Sequence, residues 1–90
     1  MPKFIIERDI PGVGQWKPAE LHDIAQRSCT ELTAMGPTIQ WVESFVTPDR
    51  IYCVFVAPSE SVVREHAARG GFPVDRVSAV VGMIDPTTAE

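Results

Sequence analysis

The chain has 90 residues and lacks much of what would narrow its function at once. No apolar run approaches the roughly 18 residues of a membrane span. The strand-like run beginning at Lys3 stands where a signal peptide would be read, so a cytoplasmic protein is expected. Only two cysteines occur, Cys29 and Cys53, with no CxxC spacing, which predicts reduced thiols. Positive charge is short as well. Lys and Arg number 8 against 12 Asp and Glu, giving a net charge of −4 with no basic run or aromatic–basic interleaving. That balance argues against nucleic acid, whose phosphates are bound chiefly by Lys and Arg. There is no GxGxxG fingerprint or Walker lysine, so Gly12-Val13-Gly14 and Gly70-Gly71 read as turn chemistry. No HxH or HExxH spacing occurs, and neither repeats nor low-complexity tracts divide the chain, which reads as one domain over residues 1–90.

What is present is ordinary globular material, 44% hydrophobic and 22% charged. Lys3 to Ile10 is rich in β-branched and aromatic residues and reads as a strand. A Pro- and Gly-containing loop follows from Pro11 to Trp16. Lys17 to Pro37 carries the clearest helix, with Pro18 at its start, Gly36-Pro37 at its end, and Leu21, Ile24, Ala25, Ser28, Cys29 and Leu32 on one stripe. Two strands, Thr38 to Thr47 and Arg50 to Ala57, are close enough to form a hairpin. Ser59 is placed to cap a second helix, Glu60 to Arg69, that Gly70-Gly71 ends. Asp75 to Asp85 supplies a last strand. The order β-α-β-β-α-β with right-handed crossovers predicts an α+β, ferredoxin-like sandwich. Its four-stranded antiparallel sheet has two helices on one face and strands one and three at its centre.

A sheet covered on one face should alternate apolar with polar. These strands do not. Tyr52, Val54 and Val56 oppose Ile51, Cys53 and Phe55, and Val42 and Val46 oppose Ile39, Trp41 and Phe45. A sheet apolar on both faces exposes more than a monomer tolerates, so a second copy is expected to cover it, giving a homodimer that closes as a dimeric α+β barrel.

His66 lies on the stripe of Val62 and Val63 in the second helix, where an aliphatic residue is usual. It is either a hydrogen-bonded core histidine or a metal ligand or base. Glu7, beside Arg8 and Asp9, is either part of a strand-end charge cluster or an inward carboxylate. Cys53 is either a small core hydrophobe or a thiolate ligand. Tyr52, Trp41 and Glu43 are candidates to line a ligand pocket.

The blocks "PKFIIERDIPG", "IQWVESFVT", "IYCVFVAP", "VREHAARGGFP" and "IDPTTAE" together resemble the nickel-responsive, ferredoxin-like family of small bacterial proteins. The resemblance covers nearly the whole chain and implies a dimeric barrel with Ni²⁺ bound by at least one member. His66, Glu7 and Cys53 fall within the matching blocks and carry donor atoms, which makes them the candidate ligands. A dimer that binds a divalent transition metal without catalysis is one reading. The other is a small-molecule-binding or cofactor-free enzyme of the isomerase or monooxygenase kind, working in an apolar barrel.

Overall fold

Helix and strand fall where residue periodicity changes from 3.6 to 2. The computed structural model describes residues 1–90: β1 (Lys3–Asp9), α1 (Pro18–Met35), β2 (Gln40–Val46), β3 (Arg50–Val56), α2 (Glu60–Gly70) and β4 (Arg76–Ala79). Short 3₁₀ turns occupy Val13–Gln15 and Pro86–Ala89. The sheet order is β2-β3-β1-β4, all neighbours antiparallel, with β1 and β3 central as expected. This is the ferredoxin-like arrangement.

Strand alternation sorts the sheet into two unlike faces. Phe4, Ile6 and Arg8 of β1 share a face with Ile51, Cys53 and Phe55 of β3, and all six are buried under the helices. Ile39, Val63, Ala67 and Val13 complete that interior. The opposite face carries Ile5, Tyr52, Val54, Val56 and Phe45, with Ile5 36% and Phe45 53% exposed. It is less greasy than the sequence predicts, because Glu7, Asp9 and Arg50 lie on it as well. Arg50 Nη1 donates to Glu7 Oε1 at 2.8 Å and Nε to Asp9 Oδ1 at 2.5 Å.

Three expectations are corrected. In β2 a bulge between Trp41 and Glu43 reverses the alternation, so Trp41, Ser44 and Val46 pair with the helix-side row of β3 while Glu43 and Phe45 take the open face. Glu43 therefore does not share a face with Trp41, and Val46 does. The last strand is four residues rather than eleven, because its partner β1 begins at Lys3. The final bond runs from Val80 N–H to Lys3 O at 2.8 Å, leaving Val81, Met83 and Ile84 exposed. Cys29 lies off the buried stripe of α1 and is exposed, whereas its neighbour Ser28 is buried; both cysteines are free.

The helix ends hold to expectation in position more than in chemistry. The Lys17 N–H donates to Glu20 Oε1 at 3.1 Å, and Gly36 leaves α1 at φ 82°. Ser59 occupies the N-cap position of α2, yet its hydroxyl meets Ser61 Oγ at 2.9 Å and caps no backbone N–H. Gly71 turns the chain out of α2 at φ 69°, a left-handed conformation that disfavours side chains.

Candidate functional site

The residues of α1 that face the sheet include the small Ala25 and Ser28, so helix and sheet do not close fully on each other. A cavity of about 200 Å³ remains between them. The space is partly open to solvent, and a concave, mostly apolar pocket with a few polar groups is the kind of place where small molecules bind. Leu21, Ile24, Ala25 and Ser28 form its helix wall; Trp41, Ser44, Val46, Ile51, Cys53 and Phe55 form its sheet wall. Arg8, Phe72 and Pro73 close one end.

Arg8 is the unusual member. It is 4% exposed and has no carboxylate within ion-pair distance. Its Nη1 donates to Pro73 O at 2.7 Å, its Nε lies 3.4 Å from Cys53 Sγ, and Nη2 makes no hydrogen bond. The guanidinium also packs on the Phe72 ring at 5.4 Å from the centroid, with Arg27 at 4.9 Å. By sequence, Arg8 groups with Glu7 and Asp9 in one charge cluster. The signal that separates them was present: Phe4, Ile6 and Arg8 are two apart, so any strand that buries the first two buries the third.

Behind this wall lies His66, 1% exposed. Its ring is tilted against Phe55 at 5.3 Å and Phe72 at 5.6 Å, and Nε2 lies 3.1 Å from the buried Ser28 Oγ. Nδ1 has no partner. An uncovered lone pair costs less than an uncovered N–H, which favours Nε2–H donating to Ser28 and a bare lone pair at Nδ1. Burial chiefly, and the Arg8 charge next, hold the imidazole below its ordinary value of 6.5, with Glu31 opposing. The unfolded chain therefore takes up this proton first as acid is added. Stability attributable to the neutral ring is fully present above about pH 6.5 and is lost as pH falls toward the lower folded value. Urea denaturation between about pH 7.5 and about pH 5 should show this as a slope no steeper than about 1.4 kcal/mol per pH unit. In His66→Gln the slope should flatten; an unchanged slope would assign it to other groups.

The sequence-predicted residues are thus divided among separate places. Cys53 is beside the cavity, its sulfur in contact with Arg8, and His66 is sealed behind it. Glu7 is on the other face of the sheet, tied to Arg50. These three do not form one ligand set within a subunit, because side chains an odd number of positions apart on paired strands point to opposite faces. No three His, Cys, Asp or Glu side chains converge closely enough to hold one metal ion. Of the pocket candidates Trp41 lines the cavity, its Nε1 donating to Ser44 Oγ at 2.9 Å, while Tyr52 and Glu43 belong to the open face.

Comparison with known proteins places this geometry. The crystal structure of SCO4226 from Streptomyces coelicolor A3(2) superposes with a TM-score of 0.76 over 91% of this chain and 99% of that one, at 19% identity, which shows the same fold. Among curated proteins none matches. A family model described as nickel responsive protein SCO4226-like matches residues 4–80, nearly the whole of the sheet and both helices. The chain belongs to the SCO4226-like family of nickel-responsive proteins.

Proposed function

We propose that the protein acts in a nickel response as a cytoplasmic homodimer that takes up divalent transition metal without catalysis. The family match over residues 4–80 carries this reading. One subunit does not fit a resident nickel ion. No three donors converge, Glu7 is engaged by Arg50, and any cation reaching His66 would meet the same Arg8 charge that disfavours its proton. On this reading the metal is held by donors drawn from two copies. With His66 buried, the surface donors are carboxylates and the exposed imidazole of His22, and an imidazole favours a borderline cation over calcium or magnesium.

The open sheet face supports the dimer. Its stripe of Ile5, Tyr52, Val54, Val56 and Phe45, edged by Glu7, Asp9, Arg50 and Glu43, has the apolar centre and polar rim of an interface. The exposed Val81, Met83 and Ile84 add apolar surface that a second copy would cover.

Sedimentation and calorimetry test both parts. The wild type should run at about twice 9.9 kDa and bind Ni²⁺ saturably. The expected affinity is tighter than about 10 µM, near 7 kcal/mol. Val54→Asp should run as a folded monomer with nickel binding at least about tenfold weaker, while His66→Gln should leave the affinity within about twofold. A folded wild-type species of 9.9 kDa without saturable nickel binding would overturn the reading.

A further inference from the structure

The cavity beneath α1 has no cluster of metal donors in its lining, and its chemistry points elsewhere. Arg8 contributes the only charge on its wall, and the rest is predominantly apolar. An arginine residue only 4% exposed with no acidic partner is uncommon, because a buried charge is costly unless paired. Arg8 satisfies itself in part through Pro73 O and Cys53 Sγ, and Nη2 remains without a hydrogen bond. The planar fork of an arginine matches a carboxylate in two parallel bonds, and such charge-assisted bonds are the strong ones.

We propose that this cavity is a binding site for a small monocarboxylic acid with an apolar body, its carboxylate on Arg8 and its body between Ile24, Trp41, Ile51 and Phe55. Size sets the class. A dry cavity of about 150 Å³ takes benzene. The volume of about 200 Å³ therefore suits one aromatic ring or a short aliphatic chain together with its acid group. A bare inorganic anion would leave the apolar walls unfilled, and a neutral hydrocarbon would leave the arginine unpaired. The exposed Val46 and Pro73 are on the rim, so entry does not require the helix to separate from the sheet.

Phenylacetate and its uncharged amide serve as matched probes, titrated by NMR into metal-free protein, which keeps the outcome independent of nickel. Phenylacetate should saturate, with shifts concentrated at Arg8, Trp41 and Phe72, and phenylacetamide should bind at least about tenfold more weakly. Arg8→Gln should abolish that preference. Because Arg8→Gln also removes the bond to Pro73 and so loosens the fold itself, Ala25→Leu provides the second variant. It fills the cavity from the helix side, keeps Arg8, and should abolish binding of both probes in a protein at least as stable as the wild type. Equal affinity for acid and amide, no saturation below about 10 mM, or unaltered binding in folded Ala25→Leu would each overturn the proposal.

Discussion

Phe55→Ala is expected to remove about 3–5 kcal/mol of folding stability. Phe55 is 2% exposed on the central strand β3, directly across from Phe4 on one side and Trp41 on the other. Its ring also supports His66 from below, at 5.3 Å between centroids. Truncation costs the transfer of the ring out of the interior, plus a cavity term that depends on how far the surroundings collapse. Collapse is poor here. The ring already borders a pocket of about 200 Å³, so its removal enlarges an existing space whose far wall, α1, is held off the sheet. The upper half of the range is therefore expected. A domain of this length has a total stability of about 5–13 kcal/mol, so the loss is a large share of it. Thermal unfolding should move down by at least about 16 °C, from about 4 kcal/mol or more at roughly 4 °C per kcal/mol for a chain of this size. Urea denaturation followed by circular dichroism measures the effect, at one fixed protein concentration because a dimer makes the midpoint concentration-dependent. A loss below about 1.5 kcal/mol would mean that the helix settles onto the sheet and that the cavity is soft.

The architecture was legible in the residues because its signals are local. Pro18 and Gly36-Pro37 bracket α1, the Leu21–Ile24–Ser28–Leu32 spacing orients it, and Gly70-Gly71 ends α2. The bulge after Trp41 was not legible. One inserted residue leaves no mark when neither glycine nor proline accompanies it, and every assignment of face beyond it then reverses. The early end of β4 was hidden for a different reason. Residues 80–85 have strand-forming composition, but a strand needs a neighbour and β1 has already begun.

The site was harder to read than the fold. His66 stood out as a polar residue on an apolar stripe, and its burial bears out that placement. What it meets, Ser28, comes from the other helix 38 positions away, and no pattern within α2 names that partner. Arg8 was legible from alternation alone, yet a strand-end charge beside Glu7 and Asp9 reads as solvated until the burial of Phe4 and Ile6 is taken at face value. The cavity is a mismatch between the small side chains of α1 and the row they face. It exists only once register and crossing geometry are fixed, which no one-dimensional spacing records.

Gly70→Ala is expected to destabilise the protein by about 1–3 kcal/mol, although glycine-to-alanine in a helix normally gains up to about 1 kcal/mol. A β-carbon at Gly70 would collide with the Phe72 ring, two of whose carbons would lie 2.7 Å away and a third nearer still. A free side chain would swing aside at little cost. Phe72 is not free, since Arg8 and Arg27 stack on it and His66 packs against it at 5.6 Å. Displacing the ring would open the Arg8 end of the cavity and wet His66, weakening the burial that holds its imidazole below the ordinary value. The loss of stability and a flatter pH profile should therefore appear together. Gly71→Ala separates this cause from backbone strain. Its β-carbon meets nothing within 4 Å, but φ is +69°. It should cost about 1–2 kcal/mol through the left-handed backbone alone. The pH profile should stay that of the wild type, because Phe72 keeps its place over His66. If both variants keep the wild-type profile, Phe72 does not seal His66, and the burial that lowers its proton affinity comes from Phe55 and the helices instead.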